Sequence, residues 1–308
     1  MATSKTWDGI EGTDFNRFAG DLLDGTQNRL NQSFGAMQCV FNANSIHYIA
    51  AIATVRKELS RRGSIQASYT LSRATDLGSG GTRSFGYDGF PDRNVIYNSS
   101  TRESLRADSS WDHRHRFSFS GTYELPTPFK SNLVSKYVLG GWQVSLLSIL
   151  QSGSLFTVIN SNSFNPILDT SGKVTGLQAN SGDYNADGFN LDYPNFSGSV
   201  KNSHSRNDFL NTGIFSLASF TAPAVGTEGT EKRNLFRNPS YMNFDASMLK
   251  NNRFFREKLN LQLRFDFFNV LNHVNLGGVD GSMFSSTFGK VTSTADPRVI
   301  QLGTRLSF

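Results

Sequence analysis

The last ten residues, "VIQLGTRLSF" (299–308), run strictly in steps of two. Ile300, Leu302, Thr304, Leu306 and Phe308 fall on one face, and Gln301, Gly303, Arg305 and Ser307 fall on the other. That is the period of a β-strand with one greasy and one wet face. The stretch closes on a large apolar residue, where soluble domains usually finish in a frayed polar terminus. A half-buried strand of a soluble sandwich would alternate in the same way. The fold therefore turns on where the greasy face goes.

Five more segments share the period. In "GSIQASYTLSRA" (63–74) Ile65, Ala67, Tyr69 and Leu71 oppose Ser64, Gln66, Ser68 and Thr70. In "RFSFSGTYELP" (116–126) Phe117, Phe119, Gly121, Tyr123 and Leu125 alternate with Arg116, Ser118, Ser120, Thr122 and Glu124. Trp142, Val144, Leu146 and Leu150 share a face in "GWQVSLLSIL", as do Met242, Phe244, Ala246 and Met248 in "YMNFDASML". The clearest is "LNLQLRFDFF" (259–268), with Leu259, Leu261, Leu263, Phe265 and Phe267 against Asn260, Gln262, Arg264, Asp266 and Phe268. Each is about as long as the 9 to 11 residues that a tilted strand needs to cross a bilayer.

The connections decide between lipid and a soluble core. "LSRRGS" (59–64) and "KNNRFFREK" (250–258) are short, and "PTPFKSNLVSKY" (126–137) is intermediate. The stretches 73–112 and 151–240 are long, polar and rich in Gly, Asn, Ser and Asp. Loops beyond about 15 residues are uncommon in compact soluble domains, whereas short turns at one end and long loops at the other are the habit of an outer-membrane barrel. The greasy faces are expected to meet lipid. Counted back from Phe308 at the periplasmic rim, strands are predicted at 298–308, 258–270, 241–250, 138–150, 115–125, 63–73 and 45–59, with a weaker one at 33–42. The fold class is all-β: an antiparallel transmembrane barrel of about eight strands, complete in itself or the last part of a larger one.

Composition agrees. Only 37% of the 308 residues are apolar, yet Phe numbers 26, and 28 Gly stand against 8 Pro. No run of about 18 uncharged apolar residues occurs, so no ordinary transmembrane helix is expected. The net charge of +5 is spread along the chain without a basic block, which argues against a nucleic-acid partner. A single Cys39 forbids an intramolecular disulfide. The opening "MATSKTWDGIEGTDF" has no charged head followed by an apolar stretch and is not a signal peptide.

The terminal strand carries more than alternation. Gln301, Gly303, Leu306 and Phe308 resemble the C-terminal signal read by the barrel-assembly machinery: a polar residue, Gly, an apolar residue and a terminal aromatic. A last strand must pair with the assembly machine and then with another strand, so its edge must be open and its register fixed. The blocks "GSIQASYTLSRATD", "WDHRHRFSFSGTYELP", "GGWQVSLLSILQSGSLFTV", "GDYNADGFNLDYPN" and "LNLQLRFDFFNVLNHVNL…FGKVTSTADPRVIQLGTRLSF" occur in that order. Over roughly residues 28–308 they are similar to the C-terminal barrel of TonB-dependent receptors of the Oar-like kind, whose intact members carry a carboxypeptidase-regulatory-like domain. The resemblance implies a barrel of about 22 strands, a plug inside it, and contact with TonB through the plug region. This sequence shows no such plug, so residues 1–308 are expected to be the last seven or eight strands of such a barrel. By itself the chain is not expected to perform energised uptake.

Other constellations are local. In "DYNADGFNLD", Asp183, Asn185 and Asp187 followed by Gly188 match the opening of a calcium loop, with oxygen ligands on alternate residues and then a Gly for the turn. Asp192 would have to replace the closing bidentate Glu, and no helices flank the stretch, so it is no EF-hand. The alternative is a loop of Asx-turns without Ca2+. "DHRHR" (112–116) sets His113 and His115 on one strand face near Asp108 and Asp112, but no third metal ligand is in view, and a polar strand end at the membrane surface is expected. No G-x-S-x-G elbow and no phosphate loop occurs, so no enzyme is expected. Two functions fit: a receptor barrel importing a large solute through the outer membrane, or a small self-closing barrel with a structural or adhesive role.

Overall fold

The computed structural model describes residues 45–77, 106–127, 135–184, 186, 192–201, 203–227, 229–254 and 259–308, together with 23 and 33. The strand expected at 33–42, Cys39 and the Gly-rich stretch 78–86 lie outside the described residues, apart from Ser33.

Seven long strands form one antiparallel meander: β1 (Ile46–Glu58), β2 (Gly63–Asp76), β4 (His115–Glu124), β5 (Trp142–Gln151), β12 (Tyr241–Phe254), β13 (Leu259–Phe268) and β14 (Val299–Ser307), paired in that order. A short β3 (Ala107–Asp108) pairs with the end of β2. Between β5 and β12 lie β6 (Leu155–Phe156), β7 (Pro166–Leu168), β8 (Val174–Leu177), β9 (Asn195–Phe196), β10 (Phe220–Thr221) and β11 (Phe236–Arg237). These pair among themselves as β6 with β11, β7 with β8 and β9 with β10. No helix among the described residues is long and apolar enough to cross a membrane.

All seven long strands lie where the alternation places them, within a few residues. The largest differences are at β12, which runs on through "NNRF" to Phe254, and at β5, which begins at Trp142 after a helical turn, Ser135–Leu139. The alternation of "NNRF" is weak, and the turn is therefore shorter than the nine residues read from sequence.

Register lines up the apolar faces of the strands from β2 to β14. Leu302 opposes Phe265, Phe265 opposes Met248, Met248 opposes Val144, and Val144 opposes Tyr123. Ile300, Phe267, Ala246, Leu146, Gly121 and Ile65 form the neighbouring row. Paired residues of an antiparallel ladder point the same way, so every greasy strand face joins one continuous surface.

That surface covers no core. The buried apolar residues among those described, from Leu77 and Leu155 to Met283 and Val291, all lie outside the seven long strands. Ile49, Val55, Leu302 and Leu306 are instead 78, 69, 69 and 56% exposed. A soluble sandwich buries the greasy face of its strands. An apolar surface of this extent requires another solvent.

The connections fall into two classes by end. At one end, residues 59–62 close β1 to β2 in a tight turn, with Leu59 N donating to Gly63 O at 2.7 Å and Ser60 at φ 55°. Gly63 is needed there, because a Cβ would overlap the Thr122 carbonyl oxygen. The stretch 125–141 and the turn after Phe254 lie at the same end. The long loops after β2 and β5 lie at the other end. So does a third, between Phe268 and Val299, which sequence reading passed over.

Candidate functional site

The polar strand faces are also in register. One row crosses all seven long strands: Glu58, Ser64, Thr122, Ser145, Ser247, Asp266 and Gln301. In the next, Arg56 opposes Gln66, Gln66 opposes Ser120, Ser120 opposes Leu147, and Leu147 opposes Asp245. Arg56 on β1 and Phe268 on β13 line the same hollow of about 450 Å³, so the sheet curls with its polar face inward.

Charge on this inner face is balanced locally. Arg56 Nη2 lies 2.9 Å from Glu58, and Arg264 Nε lies 2.7 Å from Asp266. Both pairs join a residue to its second neighbour on the same strand, which strand geometry places on one face. Ser247 Oγ donates to Asp266 at 2.6 Å, and Thr54 and Ser68 hydroxyls meet at 3.0 Å. Such a face hydrogen-bonds water or a polar solute, and it carries no strong net charge.

Over the long-loop end sits a folded cap with the molecule's own hydrophobic cores. Val158, Phe220, Phe236 and Met283 are buried together, with Phe156, Phe196, Phe215 and Phe288 against them. Phe215 and Phe288 approach to 4.7 Å between ring centres, and Phe196 meets Phe236 edge-on at 5.3 Å. A second cluster gathers Phe209, Ile214, Val279 and Val291. Val279, Met283 and Val291 come from the third loop, so loops before β12 and after β13 pack as one body. The abundance of Phe has its explanation here as much as in the membrane face.

Polar groups fasten the cap to the strand ends. Buried Arg233 meets Asp76 at 2.8 Å and also donates to the Asp76 carbonyl. Asp112 is fully buried; it accepts from Ala74 N at 2.9 Å and lies 3.4 Å from Arg237 and 3.7 Å from Arg114. Asn234 Nδ2 donates to the Asp108 carbonyl. Buried Glu231 accepts from Val158 N at 2.9 Å through one oxygen, while its other oxygen has no hydrogen-bond partner among the described residues. Burial pushes its carboxyl up to about 9. Burial likewise raises the Tyr184 hydroxyl, whose oxygen accepts from Asn160 Nδ2.

Of the residues singled out in sequence, Asp183 and Asp192 are both buried in the cap, Asp183 at φ 50°. Asn185 and Asp187 lie outside the described residues. Among the described residues, no three His, Cys, Asp or Glu side chains gather as a metal site. His113 meets the Ser152 carbonyl at 2.6 Å and His115 meets the Tyr69 hydroxyl at 2.7 Å, so each ring has its own structural partner. On β14, Gln301 stands opposite Asp266, Gly303 opposite Arg264 and Leu306 opposite Leu261, while Phe308 is fully exposed. Sequence reading missed Arg233, Glu231 and Asp112 as anchors; a charged residue bears no local mark of burial.

Comparison with curated proteins and with solved structures gave no match. A family model described as an outer membrane beta barrel domain matches residues 4–301. The unsheltered apolar face, the polar inner face and the split between short turns and long loops are what such a protein needs. The chain belongs to the outer membrane beta barrel domain family, and its place is the outer membrane.

Proposed function

We propose that the chain is the C-terminal part of the barrel of a TonB-dependent receptor that imports a large solute. The observation that carries this reading is the sheet itself. Its polar face is continuous over seven strands, and among the described residues β1 and β14 each have one neighbour. A sector of a wide barrel has this form, with further strands continuing both edges. Energised uptake then requires a plug region that TonB engages, while the barrel-assembly machinery reads Gln301, Gly303, Leu306 and Phe308 on the open last strand.

A specific observation favours the second reading, a small self-closing barrel with a structural or adhesive role. One hollow of about 450 Å³ runs along the polar face from Arg56 on β1 to Phe268 on β13, across six of the seven long strands, and a closely curled barrel of few strands would give such a hollow. Two measurements separate the readings. An upstream frame in phase with Met1 that encodes a plug, and photocrosslinking of TonB to the full product, would support the receptor. Heat-modifiable migration of residues 1–308 alone in detergent, with no crosslink to TonB, would establish the small barrel and remove the uptake function.

A further inference from the structure

The described part of the connection between β4 and β5 that precedes β5 is residues 135–141. Its helical turn, Ser135–Leu139, folds back over the outer, apolar face of the sheet. Three contacts place it there. Tyr137 stacks on Phe254 with ring centres 5.3 Å apart and planes 4° from parallel. Trp142 Nε1 donates to the Val138 carbonyl at 2.9 Å. Lys250 Nζ donates to the Gly140 carbonyl, and to Asn252 Oδ1 at 3.0 Å. Phe254, Trp142, Lys250 and Asn252 all belong to the outer face by register, with Lys250 opposite Trp142.

The turn answers a problem that β12 creates. A lysine on a lipid-facing strand carries its ammonium toward hydrocarbon, where a charge is costly. Here Lys250 is only 3% exposed, with its ammonium roofed by Gly140 and set 5.6 Å from the centre of the Trp142 ring. Gly141 makes the roof possible, because its φ of 72° favours glycine and a Cβ would overlap the Asn251 carbonyl oxygen. Outward the same turn presents Val138 and Leu139, which are 56 and 48% exposed. Those side chains continue the apolar surface of the strands at the short-turn end.

We propose that residues 135–141 form a foot seated in the periplasmic leaflet of the outer membrane, with Val138 and Leu139 among phospholipid acyl chains close to the headgroups. Continuity with the lipid-facing sheet and the pairing of aromatic rings with a covered cation identify the partner as lipid rather than protein. Trp and Tyr at such a depth set the vertical position of a barrel. The foot fixes how far β5 and β12 rise from the periplasmic surface.

A single engineered thiol reports the position, so the one native thiol of residues 1–308 is first taken out. In the full protein in outer membranes, Cys39→Ser removes it, and Leu139→Cys then carries an environment-sensitive fluorophore. The expected result is quenching by phospholipids spin-labelled near the headgroup and protection from aqueous iodide. The same fluorophore on Ser60→Cys, in the β1–β2 turn, should show the reverse. Gly141→Ala in the Leu139→Cys background should lift the foot, so that lipid quenching is lost and iodide quenching appears while heat-modifiable migration persists. Iodide quenching without lipid quenching at Leu139→Cys overturns the proposal, whatever Gly141→Ala does.

Discussion

Arg233 and Asp76 meet at 2.8 Å with side chains only 6 and 0% exposed, joining the cap to the end of a membrane strand. Breaking one partner of a buried pair strands the other charge and costs about 3–5 kcal/mol, whereas replacing both with apolar groups is often neutral. Arg233→Met is therefore expected to loosen residues 152–240 while the strands persist, and Asp76→Leu added to it should restore most of the protection. Hydrogen exchange resolved by segment measures this. Equal exchange in the wild type and in Arg233→Met would show that the pair does not hold the cap.

What was legible in the sequence follows from how local each signal is. Strand alternation needs only neighbours, so Leu259–Phe268 and Val299–Ser307 emerge within a residue or two. The cap was invisible because its order comes from contacts between distant segments, such as Phe156 with Phe236 and Phe215 with Phe288. Stretches rich in Asn, Ser and Gly carry no period, so 151–240 reads as loop although it is packed. Asp112 illustrates the limit. In "DHRHR" it looks like one more polar residue at a strand end, yet it is buried between Ala74 N, Arg114 and Arg237.

Glu231 makes the cap sensitive to pH. Its carboxyl is raised from an ordinary 4.5 to about 9 by burial. The group's contribution is thus fully present below pH 4.5 and declines as pH rises toward 9, because the unfolded chain releases the proton first. The decline is on the order of 1.4 kcal/mol for each unit of pH. Glu231→Gln keeps the acceptor for Val158 N and has no proton to lose. Wild type and variant should resist proteolysis equally at pH 4, and the variant should resist better at pH 8. Parallel pH profiles for the two proteins would sink this assignment.

Phe308 is 101% exposed, so it adds nothing to packing within the chain. As the last residue of the stretch that the assembly machinery would read, it is expected to act in assembly. Deleting it is expected to leave the stability of protein refolded in detergent unchanged, while the amount of heat-modifiable protein in outer membranes falls. Urea midpoints for the first and quantified membrane fractions for the second measure the two effects separately. A loss of stability in detergent would assign Phe308 a structural role instead.

Leu302 and Gln301 are chain neighbours on opposite faces of β14, one opposite Phe265 and the other opposite Asp266. Arginine at the two positions separates lipid from water. Leu302→Arg sets a guanidinium in hydrocarbon and should cost about 2–4 kcal/mol near the bilayer midplane. Gln301→Arg sets it beside the Asp266 carboxylate on the inner face, where the change should stay within about 0.5 kcal/mol, as for ordinary surface substitutions. Urea-titrated folding into phospholipid vesicles reads both. If the two variants lost the same stability, both faces of the strand would be equally wet, and the outer face would not be the one that meets lipid.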